Sequence, residues 1–168
     1  MPDSTPYLLS TPPNPREPKI TGNTAGISGG GIFVGNSNVT MSKSLIVGNN
    51  APTGKGLHKS VDVATATVTN NWWGCSTGPG AAPCDTATTA GGTLTFSPWY
   101  RNQLTASPSP IVTNQSTSLT ASFLTNSANV AVPVADLAEI IGRSVTWAAT
   151  NGNLSGQQGT VQSSGTAT

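Results

Sequence analysis

Only one group of residues in this chain has the makings of acid–base chemistry. It consists of Asp62 and Asp85, with His58, Lys55 and Lys59 close to the first of them. Cleavage of a glycan needs clustered carboxylates, for proton transfer or for calcium, usually with a cation nearby. The separation of Asp62 from Asp85 brings the two carboxylates together if the chain coils with a similar period. The plainer expectation is that these residues are solvated, on an outer face or in a loop.

Other chemistries find less to work with. His58 is the only histidine, and no Gly-x-Ser-x-Gly turn surrounds a serine in a strand–helix setting, so no nucleophilic triad is expected. The Gly-rich "GISGGGIFVGN" lacks the Lys-Ser/Thr ending of a phosphate loop, and "TGKGL" places Gly56 where the hydroxyl would be. Those glycines suit a tight turn or a close approach of chain segments. Cys75, Cys84 and His58 offer three metal ligands without paired C-x-x-C spacing, and the G-G-x-G-x-D calcium repeat is absent. No cofactor or metal is expected. A Cys75–Cys84 disulfide is the economical reading. It closes a short step across a Gly/Pro/Ala loop and implies an oxidising compartment.

Trp72, Trp73, Trp99 and Tyr100 carry ring faces that can stack on sugars. Adjacent residues of a strand point to opposite faces. One of Trp72 and Trp73 therefore goes inward, the other outward or under the cysteine loop. Trp147 reads as core.

The elements that would position these residues are short strands. Of 168 residues, seven are Lys or Arg and six Asp or Glu, for a net charge of +1. That density leaves no electrostatic footprint for nucleic acid or an anionic membrane. No run reaches the ~18 apolar residues of a membrane span. Val, Ile and Leu fall in short runs punctuated by Gly, Asn and Pro, which signals many strands and few helices. Residues 1–19 are Pro-rich and extended, and Pro12, Pro13, Pro15 and Pro18 exclude helix and central strand there. The start has neither the basic nor the apolar region of a signal peptide. Together with an extracellular look, this fits an internal piece of a larger secreted protein.

"ITGNTA" (Ile20–Ala25) recurs as "IVGNNA" (Ile46–Ala51), and "VTNNWW" (Val68–Trp73) echoes it. Periods of ~20–30 residues with short apolar runs are a solenoid signal. Within one unit, Ile32 and Val34, Val39 and Met41, and Leu45 and Val47 alternate, giving three strands with one inner face. Asn23, Asn50 and Asn71 end the units and would stack as a side-chain ladder. The inward tryptophan of the pair would close the end of the stack, since solenoids need caps.

Residues 20–102, through Gly29–Val34, Asn38–Ala51, the "NNWWGCSTGPGAAPCD" block and "FSPWY", resemble the last coils of a right-handed parallel β-helix of bacterial secreted and surface proteins. Residues 103–168 differ. Leu119, Ala121 and Phe123 alternate with Thr120 and Ser122, Val145 and Trp147 share a face, and Asn151–Gly152 signals a hairpin turn. "SLTASF", "SVTWAATNGNLS" and "SSGTAT" resemble, in order, the bacterial immunoglobulin-like domains of invasin- and intimin-type adhesins. Such sandwiches run to ~100 residues, so the resemblance implies an incomplete one here. An unpaired sheet edge and an uncovered apolar face are expected. "DLAEIIG" suits either a helical turn capped by Asp136 and stopped by Gly142 or a loop between strands.

The expected fold is therefore all-β: terminal coils of a right-handed parallel β-helix, then a partial immunoglobulin-like β-sandwich. The resemblance implies a non-catalytic stalk or display scaffold, extracellular or on a bacterial surface, with host or matrix glycans or proteins as partners. If the chain is bacterial, the sequons at Asn38, Asn114 and Asn153 have no glycosylation role. The rival readings are a piece of a β-helical carbohydrate-active enzyme, and a carbohydrate-binding module using Trp72, Trp73, Trp99 and Tyr100.

Overall fold

A computed structural model describes residues 18–60 and 64–168. The Pro-rich lead-in expected over residues 1–19, apart from Pro18 and Lys19, lies outside the described residues, as does Asp62. The described chain is all-β apart from one 3-10 turn at Val134–Leu137, and it forms several small sheets. No helix among the described residues is long and apolar enough to cross a membrane.

Eight strands of two or three residues come first: β1 (Lys19–Thr21), β2 (Ile32–Val34), β3 (Val39–Thr40), β4 (Leu45–Val47), β5 (Leu57–Lys59), β6 (Thr65–Thr67), β7 (Ala87–Thr89) and β8 (Thr93–Thr95). None pairs with its neighbour in sequence. Each pairs in parallel with the strand roughly one circuit away, giving three stacks: β1–β4, β2–β5–β7 and β3–β6–β8. A parallel bridge from Leu45 to Trp72 gives the first stack its third rung. Ile20 lies opposite Ile46, and Leu57 opposite both Ile32 and Ala87. Strands this short make few hydrogen bonds within any one layer, so their stability comes from stacking and from the shared interior.

That interior holds Val34, Ile46, Leu57, Ala66, Val68, Trp73, Cys84 and Ala87, with Ile32, Val39, Met41, Phe96 and Trp99 partly buried against them. The alternation read from sequence holds in β2, where Val34 is buried and Phe33 is exposed. It is reversed in β4. Ile46 is the inward residue, while Leu45 and Val47 face outward onto the C-terminal half. A run of three apolar residues reads as one buried face only if the other face meets solvent, and here both are covered.

Trp73 is fully buried in this interior, and Gly56 makes room for it. A Cβ on Gly56 would stand 2.9 Å from the indole. The indole does not close the end of the stack, contrary to the expectation. The chain makes one more pass below it, where Asn70 N–H donates to the Pro98 carbonyl at 2.6 Å and Tyr100 N–H to the Asn71 carbonyl at 3.0 Å. Phe96 and Trp99, with ring centroids 6.3 Å apart, belong to that last pass.

The C-terminal half carries a three-stranded antiparallel sheet of β9 (Gln103–Ser107), β10 (Ser118–Ser122) and β11 (Thr166–Ala167), in the order β11-β10-β9. Its core is Tyr100, Phe123, Val132, Leu137, Ile140 and Val161, with Trp72, Leu124, Ile141 and Val145 packed against it. Among the described residues no second sheet faces the first. Isolated pairs such as Ser144–Thr160 and Thr125–Ala131 stand in its place. Trp147 is half-exposed rather than core, its Nε1–H donating to the Gln158 carbonyl at 2.9 Å. The segment left open between turn and loop forms the 3-10 turn. Pro133, not Asp136, occupies its N-cap, and Gly142 has the left-handed φ of 82° expected of a stop. The apolar face expected to lie bare is partly covered by Trp72, while Leu104 of the edge strand β9 is 63% exposed.

Trp73→Ala empties the centre of the interior. It is expected to cost about 3–5 kcal/mol, read as a lowered urea midpoint at unchanged slope. A shift below about 0.5 kcal/mol, typical of a surface change, would place the indole outside the core.

Candidate functional site

Asp85 lies at a corner of the stack, just past the cysteine loop, and it is 6% exposed. Its carboxylate accepts from Gly48 N–H at 3.1 Å, Asn49 N–H at 2.9 Å and Asn49 Nδ2 at 2.7 Å. Asn49 Nδ2 also donates to the Ile20 carbonyl at 2.8 Å, and Asn49 Oδ1 accepts from the Asn23 Nδ2 at 3.0 Å. The polar column at this corner is therefore Asn23–Asn49–Asp85, one residue from each of the first three layers. The ladder expected from Asn23, Asn50 and Asn71 does not form. Asn23 falls on Asn49, whose Oδ1 also takes the Asn23 N–H at 3.1 Å, and this leaves the Asn50 side chain outside the column. Asn71 serves another corner, its Oδ1 accepting from Ser44 N–H at 2.9 Å and its Nδ2 donating to the Val68 carbonyl at 2.7 Å.

The acid–base constellation thus separates. Every described bond of the Asp85 carboxylate is to backbone or to Asn49. His58 sits on the outer face of β5, its ring 5.9 Å from Phe33 and its Nδ1 2.9 Å from Thr88 Oγ1. Lys59 points inward beside Leu57 and is fully buried, with Nζ 3.3 Å from the Ser60 carbonyl. Lys55 is exposed. No group of three or more His, Cys, Asp or Glu able to hold a metal occurs among the described residues.

Cys75 and Cys84 form a disulfide with Cα atoms 5.1 Å apart. It ties the neck of an insertion in the third layer, which returns to the stack at Asp85, whose N–H donates to the Trp73 carbonyl at 2.9 Å. Trp99 lies over this loop, donating from Nε1 to the Ser76 carbonyl at 3.1 Å. Gly78, at φ 81°, passes so close beneath the indole that a Cβ there would stand 2.3 Å from the ring.

The four aromatics singled out as sugar contacts end in different places. Trp73 and Tyr100 are buried, so neither has a ring face open to a ligand. Trp99 is half-covered by the cysteine loop. Trp72 points away from Trp73, as adjacent strand residues must, and meets Phe123 edge to face with centroids 5.0 Å apart. It also lines an open cleft of about 430 Å³ between the first stack and the C-terminal half, with Leu45, Val47, Asn102, Phe123 and Arg143. Two ion pairs span the same junction, Lys19–Glu139 at 2.6 Å and Lys43–Asp136 at 2.8 Å. This cleft was not visible in the sequence, because its walls come from segments far apart in the chain with no shared pattern.

Asp85→Ala removes the acceptor of three N–H groups, of which those of Asn49 are buried. The expected loss is about 2–3 kcal/mol, measured by urea unfolding. A change within about 0.5 kcal/mol would show the carboxylate to be solvated and free for other work. Comparison with protein-family models, curated proteins and solved structures finds no match to this chain.

Proposed function

We propose that this chain is a non-catalytic structural and adhesive part of a bacterial secreted or cell-surface protein. In this reading residues 20–102 are the terminal coils of a right-handed parallel β-helix. Residues 103–168 are part of an immunoglobulin-like unit packed on its side. The observation that carries the reading is the parallel register of the three stacks, each rung one circuit from the next. A coil of this kind presents side chains at fixed intervals along a stiff column, which suits display or spacing. The disulfide supports an oxidising, extracellular setting. The low charge and Thr/Ser/Asn-rich surface suit a passive rod.

Carbohydrate binding is the second reading, and Trp72 favours it. Of the four aromatics it is this ring that lines the open cleft, with polar groups, Asn102 and Arg143, beside it. The enzyme reading has less support, because Asp85 is engaged within the stack and His58 lies on an outer face with Thr88 as its partner.

Two measurements test the proposal. The disulfide closes a step of 9 residues, for which loop entropy gives about 2.5–3 kcal/mol. Limited proteolysis without reductant should leave the chain intact, and added reductant should expose first cuts between residues 76 and 83. Equal cleavage elsewhere would mean that the stack is not the resistant part. A screen of the full chain on glycans and matrix proteins should give ligands that Trp72→Ala weakens by about tenfold, or about 1.4 kcal/mol. Release of sugar fragments from any glycan in the screen would overturn the non-catalytic reading.

A further inference from the structure

The outer face of the third stack carries one residue type almost alone. In β6 the burial alternates, with Ala66 inward and Thr65 and Thr67 exposed. In β8, Leu94 is inward and Thr93 and Thr95 are exposed. In β3, Val39 is inward and Thr40 is exposed. The register places Thr40, Thr67 and Thr95 in one file and Thr65 over Thr93 in a second. Asn38 heads the second file, its Oδ1 accepting from Thr65 N–H at 2.8 Å and Thr65 Oγ1 at 3.1 Å. The result is a two-file net of hydroxyls and methyls.

Its spacings follow from the backbone. Rungs are about 4.8 Å apart, and alternate residues along a strand are about 6.6 Å apart. Threonine is β-branched and stiff at χ1, so hydroxyl and methyl are both held where the backbone puts them. Strands of two or three residues confine any twist to small displacements. Each Thr hydroxyl can donate one bond and accept two, and each methyl restricts the water beside it. Such a net recognises something that itself repeats in two dimensions, rather than a discrete molecule.

The chemistry of the face narrows that partner. The six outward positions of the net include no charged side chain, which disfavours a mineral or a polyanion. They include no aromatic ring, and the tryptophans that could stack on a polysaccharide lie on other faces. What remains is a lattice of water oxygens, whose repeats on the prism face of hexagonal ice are of the same order as those of the net.

We infer that the Thr40–Thr67–Thr95 and Asn38–Thr65–Thr93 files form an ice-binding face. It orders a patch of water that freezes onto the crystal surface and pins the growth front. The net measures only about 10 Å by 7 Å, so slowed recrystallisation is expected rather than a large depression of the freezing point.

The test uses the full, oxidised chain in a recrystallisation assay of polycrystalline ice, with fluorescently labelled protein to follow uptake into a growing crystal. Wild type should restrain grain growth and enter the ice. Thr67→Lys, at the centre of the net, and Thr95→Lys, at its edge, should each raise the protein concentration needed by about tenfold, a loss of one contact's worth of binding. Thr105→Lys, on the exposed strand β9, should change nothing. Circular dichroism and the urea midpoint report whether each variant is folded. Wild type that leaves grain growth at the level of an inert protein overturns the proposal whatever the variants do. So does a folded Thr67→Lys or Thr95→Lys as active as wild type, or equal loss in Thr105→Lys. Glycan or matrix binding is untouched by any of these results, so the adhesive reading stands or falls separately.

Discussion

Parallel strands of two or three residues have no stability of their own, and the column Asn23–Asn49–Asp85 ties the first three layers one over the next. Each member bonds to the layer beside it, and the last is a carboxylate that takes three N–H bonds from the rung above. Charge-assisted bonds from backbone N–H are stronger than neutral ones. A slip of one residue in the register would turn every inward side chain outward, and it would also strand that carboxylate. The polar corner and the apolar interior therefore select the same register, an agreement between levels that favours a single native arrangement.

The pair Trp72–Trp73 shows how one rung serves two cores. The inward ring fills the coil, and its neighbour faces the other way into the C-terminal half, against Phe123. Lys19 and Lys43 reach across to Glu139 and Asp136 beside the same contact. Exposed ion pairs contribute little. Glu139, however, is 5% exposed, and a carboxylate that deep needs its cation. The outer face of the first stack is thereby an internal surface, which is why β4 is apolar on both sides.

Much of this was legible in the sequence and some was not. The repeat of Ile20–Ala25 in Ile46–Ala51 and the strands at Ile32, Val39 and Leu45 follow from apolar runs bounded by Gly and Asn, because strand and corner have opposite local chemistry. The opposed faces of Trp72 and Trp73 follow from the pleat alone. Which face of β4 is the interior did not follow, since Leu45, Ile46 and Val47 are all apolar and only tertiary contact decides. The role of Asp85 was hidden by the cysteine loop, which displaces it from the spacing its corner partners keep. Trp147 read as core because a lone Trp on a strand usually is. It lies beside Ser118 and Leu119 of β10, and among the described residues no second sheet covers it.

The loop between Cys75 and Cys84 shows what this stack counts. Extra residues leave at a corner, are tied at the neck, and return in time for Asp85 to take its place under Asn49. The layers keep track of corners rather than of chain length. Further length has its place at the exposed tip, residues 80–83, since Gly78 is held beneath Trp99 and the Pro79 carbonyl accepts from Ala87 N–H at 2.8 Å, and an insertion there asks no strand to change partner.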